Sequence, residues 1–236
     1  MLTLLLTAIL PALVLVYFIY RKDKYEKEPT DQLLKGFGFG ILSALASFLI
    51  SIPSGLLGFY PAEPAGVIDN IRVALFGAAV PEEIAKFFFL WLLLRNNKYY
   101  NEYVDGIVYA VCVGMGFAAF ENVGYMFTNL DEWASIGIVR ALVPIPGHFF
   151  FAVAMGYFFS NAAFGTPSGK ALNIALAIIV PIILHAVFDA LLMISTIAGA
   201  TGSVLLVFLS FFVWMAIKSK KRFDKQLKKD EENIVF

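Results

Sequence analysis

The sequence predicts an all-α membrane protein, a bundle of about seven spanning helices, on three observations: its composition, its apolar runs and the placement of its positive charges. Hydrophobic residues make up 60% of the 236 positions and charged residues 15%, and the mean hydropathy is +0.78. Soluble domains are roughly 45–50% apolar and roughly 25% charged, so a water-soluble fold could not hide this much apolar surface. The formal net charge is +0, which supplies no global field for an acidic partner, and nucleic-acid binding is not expected. Cys112 is the single cysteine, so no intrachain disulfide can form.

Runs of roughly 20 apolar residues fall at 2–20, 36–59, 71–94, 104–128, 137–159, 171–196 and 201–217. The first has no basic leader and no A-x-A-like cleavage site, so it reads as a retained span. Ser43, Ser47 and Ser51 form an i,i+4 stripe on the second, and Ala110, Gly114 and Ala118 form another on the fourth. Small residues in that pattern mark close helix packing. The connections are short and polar, so 1–236 reads as one bundle with no soluble domain.

Lys and Arg alternate between connections. Arg21, Lys22, Lys24, Lys27 and Lys35 follow span one, Arg95 and Lys98 follow span three, Lys170 follows span five, and seven more lie in the tail 218–236. The segments 60–70, 129–136 and 197–200 hold none. The positive-inside rule then puts the N-terminus outside and the C-terminus inside, with the basic tail acting as a stop-transfer anchor at the lipid surface.

The informative residues are polar ones inside the spans. Span three carries Glu82, Glu83 and Lys86, span four Glu121 and Asn122, span five His148, and span six His185 with Asp189. Each ionisable group at the bilayer centre costs about 2.5–3.5 kcal/mol on insertion scales, so these groups imply a large compensating gain. Glu82, His148 and His185 each lie about eleven residues from the outer end of their span, near one plane at about 1.5 Å per residue. Glu121 and Asp189 lie about seven residues in, as an outward lip of the same cavity.

Spacing sets which side chains cooperate. Lys86 is one turn from both Glu82 and Glu83, and His185 is one turn from Asp189. Adjacent residues diverge by about 100°, so Glu82 and Glu83 face different partners. Phe117, one turn before Glu121, reads as packing against the site. Pro81, Pro144, Pro146 and Pro181 flank the polar centres, and the backbone carbonyls they leave free call for a wet pocket.

Four carboxylates against Lys86 leave a deficit of three charges, which low dielectric does not tolerate bare. Either a divalent cation offsets it or some carboxyls hold protons. Imidazole with carboxylate suits zinc, whose bound water loses a proton near neutral pH. The helical H-E-x-x-H signature is absent, so ligands would come from separate helices. No serine-nucleophile or paired-aspartate motif is present.

The ordered set of E-E-x-x-K at Glu82, Glu83 and Lys86, F-x-x-x-E at Phe117 and Glu121, G-H at Gly147 and His148, and H-x-x-x-D at His185 and Asp189 resembles the PrsW family of intramembrane metalloproteases. The charged D-K-Y-E-K-E-P after span one, residues 23–29, fits the same likeness. That family is related to the CAAX prenyl protease and bacteriocin-processing superfamily, some members of which resemble glutamate-dependent proteases without a metal. Glu121 stands where the prenyl-protease branch carries histidine and Asp189 where it carries asparagine, which disfavours prenylated substrates.

The resemblance implies catalysis by Glu82 and Glu83 with His148 and His185. It also implies a single-span, anti-sigma-factor-like substrate clipped on its extracytoplasmic side in the cell membrane. The expected mechanism has Glu82 or Glu83 activating a water and Lys86 setting the charge of the pair. His148, His185 and Glu121 hold a metal, with zinc the expected ion, and Asp189 orients His185 or completes the coordination. A proton-coupled transporter with a midplane carboxylate and histidine site is the alternative, although no inverted repeat accompanies the cluster. A structural polar cluster is the third reading, against which interhelical hydrogen bonds stabilise by only about 0.6 kcal/mol each.

Overall fold

The computed structural model describes residues 1–195 and 202–234. The helices are α1 (Leu2–Lys22), α2 (Thr30–Leu56), α3 (Val67–Arg72), α4 (Val80–Leu94), α5 (Asp105–Thr128), α6 (Trp133–Leu142), α7 (Pro144–Phe164), α8 (Lys170–Ser195) and α9 (Gly202–Ile234), and no strand occurs among the described residues. Among the described residues, six stretches are long and apolar enough to cross a bilayer: α1, α2, α5, α6 with α7, α8 and α9. The remaining predicted span, 71–94, lies in a continuous helical run in which a π-helical turn, Val73–Ala79, joins α3 to α4. Segment 197–200, one of the uncharged connections used for orientation, lies outside the described residues.

The π turn has a local cause. Pro81 has no N–H to donate and its ring crowds the carbonyl one turn earlier, which a regular helix does not accommodate. Here the helix is widened just ahead of it, with the Val80 N–H donating to the Leu75 carbonyl, and such turns recur at functional sites. A second interruption lies at Val143, whose φ of −123° and ψ of −70° separate α6 from α7. Pro144 then opens α7 at a position where its missing donor costs nothing.

Helix α5 is the hub. Residues 104–119 are buried without a break, as expected of a helix apolar on every side. Apolar association has little driving force in lipid, so close packing must hold the helices together. Two glycine pairs supply it. A Cβ at Gly40 of α2 would collide with the backbone of Val113, Gly116 and Phe117, and one at Gly156 of α7 would collide with the backbone of Gly106. Ser43 and Ser47 are buried beside the first crossing, and each donates to its own helix, to Gly40 O at 2.7 Å and Ala44 O at 2.8 Å. Apolar side chains such as Leu10, Leu49, Leu56, Leu206 and Val213 remain exposed on α1, α2 and α9, as a lipid-facing belt requires.

The tail is more than an anchor. Helix α9 continues through it, and Asp230 accepts the backbone N–H groups of Tyr103 at 2.7 Å and Val104 at 2.9 Å, anchoring the turn that leads into α5. Gln226 Nε2 donates to Tyr157 O at 3.0 Å. At the same end, the Tyr109 hydroxyl donates to Glu28 and Asn101 Nδ2 donates to Glu26 at 3.0 Å. The segment 23–29 and the tail thus close the end of the bundle that carries the basic connections.

Candidate active site

The polar residues of the four spans meet. Glu83, fully buried at the start of α4, accepts from Lys86 Nζ at 2.7 Å and pairs with His185 Nδ1 of α8 at 2.9 Å, both through Oε1. Glu82 points elsewhere, as adjacent helical residues must. Its Oε2 lies 3.3 Å from Lys86 Nζ and 3.9 Å from His185 Nε2. The other face of His185 is held by Asp189, with Nε2 to Oδ2 at 3.2 Å.

His148 stands one turn into α7, where the break at Val143 turns it inward. Its Nδ1 is 3.1 Å from Lys86 Nζ and its Nε2 is 2.9 Å from Glu121 Oε2. An ammonium only donates, so Nδ1 accepts and Nε2–H donates to Glu121. The two imidazole rings are 5.2 Å apart, and Phe151 stacks on His185 at 4.8 Å. Phe117 packs on the site as its spacing suggested, with Lys86 Nζ 3.9 Å from its ring centre. Glu121 and Asp189 form the more open lip, their side chains 24% and 19% exposed against 0% for Glu83.

One member is absent from the sequence reading. Arg140 of α6 pairs with Glu121 Oε2 through Nη2 at 2.9 Å and donates from Nε to Asn122 Oδ1 at 2.6 Å. A lone arginine inside a predicted span was the signal that could have found it. Its presence corrects the charge count. Four carboxylates face two fixed cations, Lys86 and Arg140, and the deficit is two charges instead of three.

A cavity of about 200 Å³ runs along Glu82, Glu121, Arg140, His148, His185 and Asp189. A second, of about 470 Å³, lies against it between α2 and α5 and shares Ala78, Glu82, Glu121 and Tyr125. Both touch Glu82, and neither is lined by Glu83.

The residues fit a divalent metal in three respects. One ligand atom from each of Glu82, Glu83, His148 and His185 lies within 4.8 Å of the others. Glu83 Oε2 is buried without a hydrogen-bond partner, an oxygen left free to ligate. The deficit of two charges equals that of one such ion. Glu121 and Asp189, expected among the ligands, lie outside this tightest set and contact one imidazole each, Glu121 at His148 Nε2 and Asp189 at His185 Nε2, as a carboxylate that orients a ligating histidine does.

Residues 28–217 match the profile of the family described as PrsW family intramembrane metalloprotease. The chain is 37% identical over 195 residues to "Protease PrsW" of Clostridioides difficile, covering 82% of this chain and 80% of that one. It is 31% identical over 222 residues to the protein of the same name from Geobacillus kaustophilus, covering 94% and 92%. With that of Oceanobacillus iheyensis it shares 31% over 237 residues and the full length of both. No solved structure matches the chain. The apolar helical bundle, the convergent glutamates and histidines and these relatives lead to one assignment: the chain is a multi-pass membrane peptidase and belongs to the PrsW family of intramembrane metalloproteases.

Proposed function

We propose that the chain cleaves a single-span, anti-sigma-factor-like membrane protein near its extracytoplasmic side, as a step of regulated intramembrane proteolysis, with Glu82 as the general base. The observation that carries this reading is the meeting of Glu82, Glu83, His148 and His185 within 4.8 Å beside a cavity that Glu82 lines. Of the two adjacent glutamates, Glu82 is the one that lines that cavity. Glu83, locked between Lys86 and His185, holds the arrangement in place.

In this mechanism Glu82 takes the proton of the attacking water and passes it to the departing amine. Lys86 fixes the orientation of both glutamates and of His148, while Asp189 and Glu121 fix the two imidazoles. A divalent ion, zinc by donor chemistry, would be held by Glu83, His148 and His185, leaving Glu82 free as base, and when bound it would supply Lewis acidity toward the water and the carbonyl.

The route for substrate is the groove between α2 and α5. These helices touch at Gly40 and Gly116. Beyond that crossing Ser47, Phe48 and Ser51 of α2 face Phe120, Gly124 and Thr128 of α5 across the 470 Å³ space. An unwound segment of a spanning helix needs polar partners for its backbone, and Ser47, Ser51, Tyr60 and Thr128 line that space.

The test is co-expression with tagged single-span anti-sigma factors from the same genome, read by immunoblot. A fragment formed by the wild-type chain and absent with Glu82→Gln is the expected result. A full-length tag with every candidate would overturn the substrate class.

A further inference from the structure

We propose that Arg140 is a catalytic residue: its guanidinium donates to the oxygen of the scissile carbonyl and holds the oxyanion formed when water attacks. This inference rests on the peptidase mechanism proposed above.

The need for such a donor follows from what else lines the cavity. Glu82, Glu121 and Asp189 are carboxylates, and a developing negative charge beside them is repelled unless a fixed positive donor faces it. Lys86 cannot serve, because its three N–H groups are taken by Glu82 at 3.3 Å, Glu83 at 2.7 Å and His148 at 3.1 Å. His148 Nε2–H is committed to Glu121, and both ring nitrogens of His185 face carboxylates. Arg140 lines the same cavity and uses Nε and Nη2 to hold its place. A guanidinium carries five N–H donors, which leaves capacity for a carbonyl oxygen.

Its placement is rigid. The guanidinium carbon lies 3.8 Å from the centre of the Tyr125 ring, and Asn122 is itself tied to Ala8 O through Nδ2 at 3.2 Å. The break at Val143 makes the arrangement possible. On an unbroken helix, residues eight apart are separated by about 12 Å along the axis. Here Arg140 Nη2 and His148 Nε2 both reach the same oxygen, Glu121 Oε2, at 2.9 Å. The π turn and the Val143 break thus bring Glu82 and Arg140 to the lining of one small chamber.

The step balances. Water oxygen bonds to the carbonyl carbon, its proton passes to Glu82, and the carbonyl π pair moves onto oxygen against Arg140. The C–N bond then breaks, its pair stays on nitrogen, the amine takes the proton from Glu82, and the C=O bond re-forms.

The experiment uses the full chain in detergent or nanodiscs with fluorescein-labelled casein as substrate and a phosphinic pseudopeptide as tetrahedral probe. Arg140→Gln is expected to lower kcat about 10²–10³-fold with KM changed less than about threefold, and to weaken phosphinate inhibition by the factor lost in kcat. Metal content and melting temperature should stay at wild-type values, and added guanidinium should restore part of the rate. A rise in KM at constant kcat, or phosphinate affinity unchanged by the substitution, would overturn the assignment. If Arg140→Gln does not fold, Arg140→Lys carries the test, because it keeps the charge and loses the planar fork. A kcat within about twofold of wild type there excludes the role, and a loss of about tenfold or more at constant KM supports it. An active wild type with an equally active variant overturns this inference alone. A wild type that neither cleaves casein nor binds the phosphinate overturns the peptidase mechanism, and the inference with it.

Discussion

Glu83 Oε1 and His185 Nδ1 lie 2.9 Å apart although the residues are separated by 102 positions in the chain. This contact ties α4 to α8, and with the Lys86 bond it fixes the inner wall of the site. The role of Glu83 is therefore as much structural as chemical, unlike that of its neighbour.

The two glutamates should separate by experiment. Glu82→Gln is expected to abolish hydrolysis while leaving the melting temperature near that of wild type, since Glu82 borders open space. Glu83→Leu is expected to lose activity and also stability, by roughly 3–5 kcal/mol, because it breaks the close buried pair with Lys86 and leaves His185 Nδ1 without its carboxylate. Thermal unfolding in detergent with a parallel activity assay distinguishes them. Equal stability loss in both would contradict the assignment of Glu82 as base.

Metal dependence is the second expectation. Purified protein should hold about one divalent ion per chain, and His185→Ala should hold none. Chelation should remove both ion and activity, with zinc restoring them. Elemental analysis decides the matter independently of turnover, and activity that survives complete metal loss would remove the metal from the mechanism.

The groove can be blocked. A Cβ at Gly124 meets no atom within 4 Å, so Gly124→Trp should fold normally and fill the space beside Thr128. We expect cleavage of a spanning substrate to fall about tenfold or more, while a short soluble peptide is cut at a nearly wild-type rate, on the principle that discrimination lies in differential transition-state access. Equal losses on both substrates would place the route elsewhere.

The closed end of the bundle should respond to pH. Burial pushes the Glu28 carboxyl up to about 7, against the lowering effect of the Tyr109 bond. Burial likewise raises Asp23 to about 6 and Glu102 to about 7. A carboxyl whose folded pKa is raised contributes its stability fully below the unfolded value, and that contribution is lost as pH rises through the folded value. The melting temperature should therefore fall from about pH 4 to about pH 7, between the unfolded and folded values. Glu28→Gln, which stays neutral, should flatten the fall. An unchanged slope in that variant would show that Glu28 is not among the groups responsible.

Much of this protein was legible in its residues. Apolar length gives the spans, and charges stranded in apolar runs give Glu82, Glu83, Lys86, Glu121, His148, His185 and Asp189, because insertion cost makes each one conspicuous. The depth count put Glu82, His148 and His185 at one level with Glu121 and Asp189 as a lip, and two of the prolines, Pro81 and Pro144, stand at the irregular points of the helices. These are local properties, set by rise per residue and by the solvent preference of each side chain.

The tertiary structure decided what depends on how helices rotate against one another. It turned Glu82 to the cavity and Glu83 to His185, set Asp230 on the turn that leads into α5, and brought Arg140 to Glu121 across the Val143 break. No periodicity in a single segment encodes those angles. They follow from glycine contacts such as Gly40 with Gly116, which set how closely and at what rotation α2 and α5 meet, and from buried polar groups that must find partners in hydrocarbon.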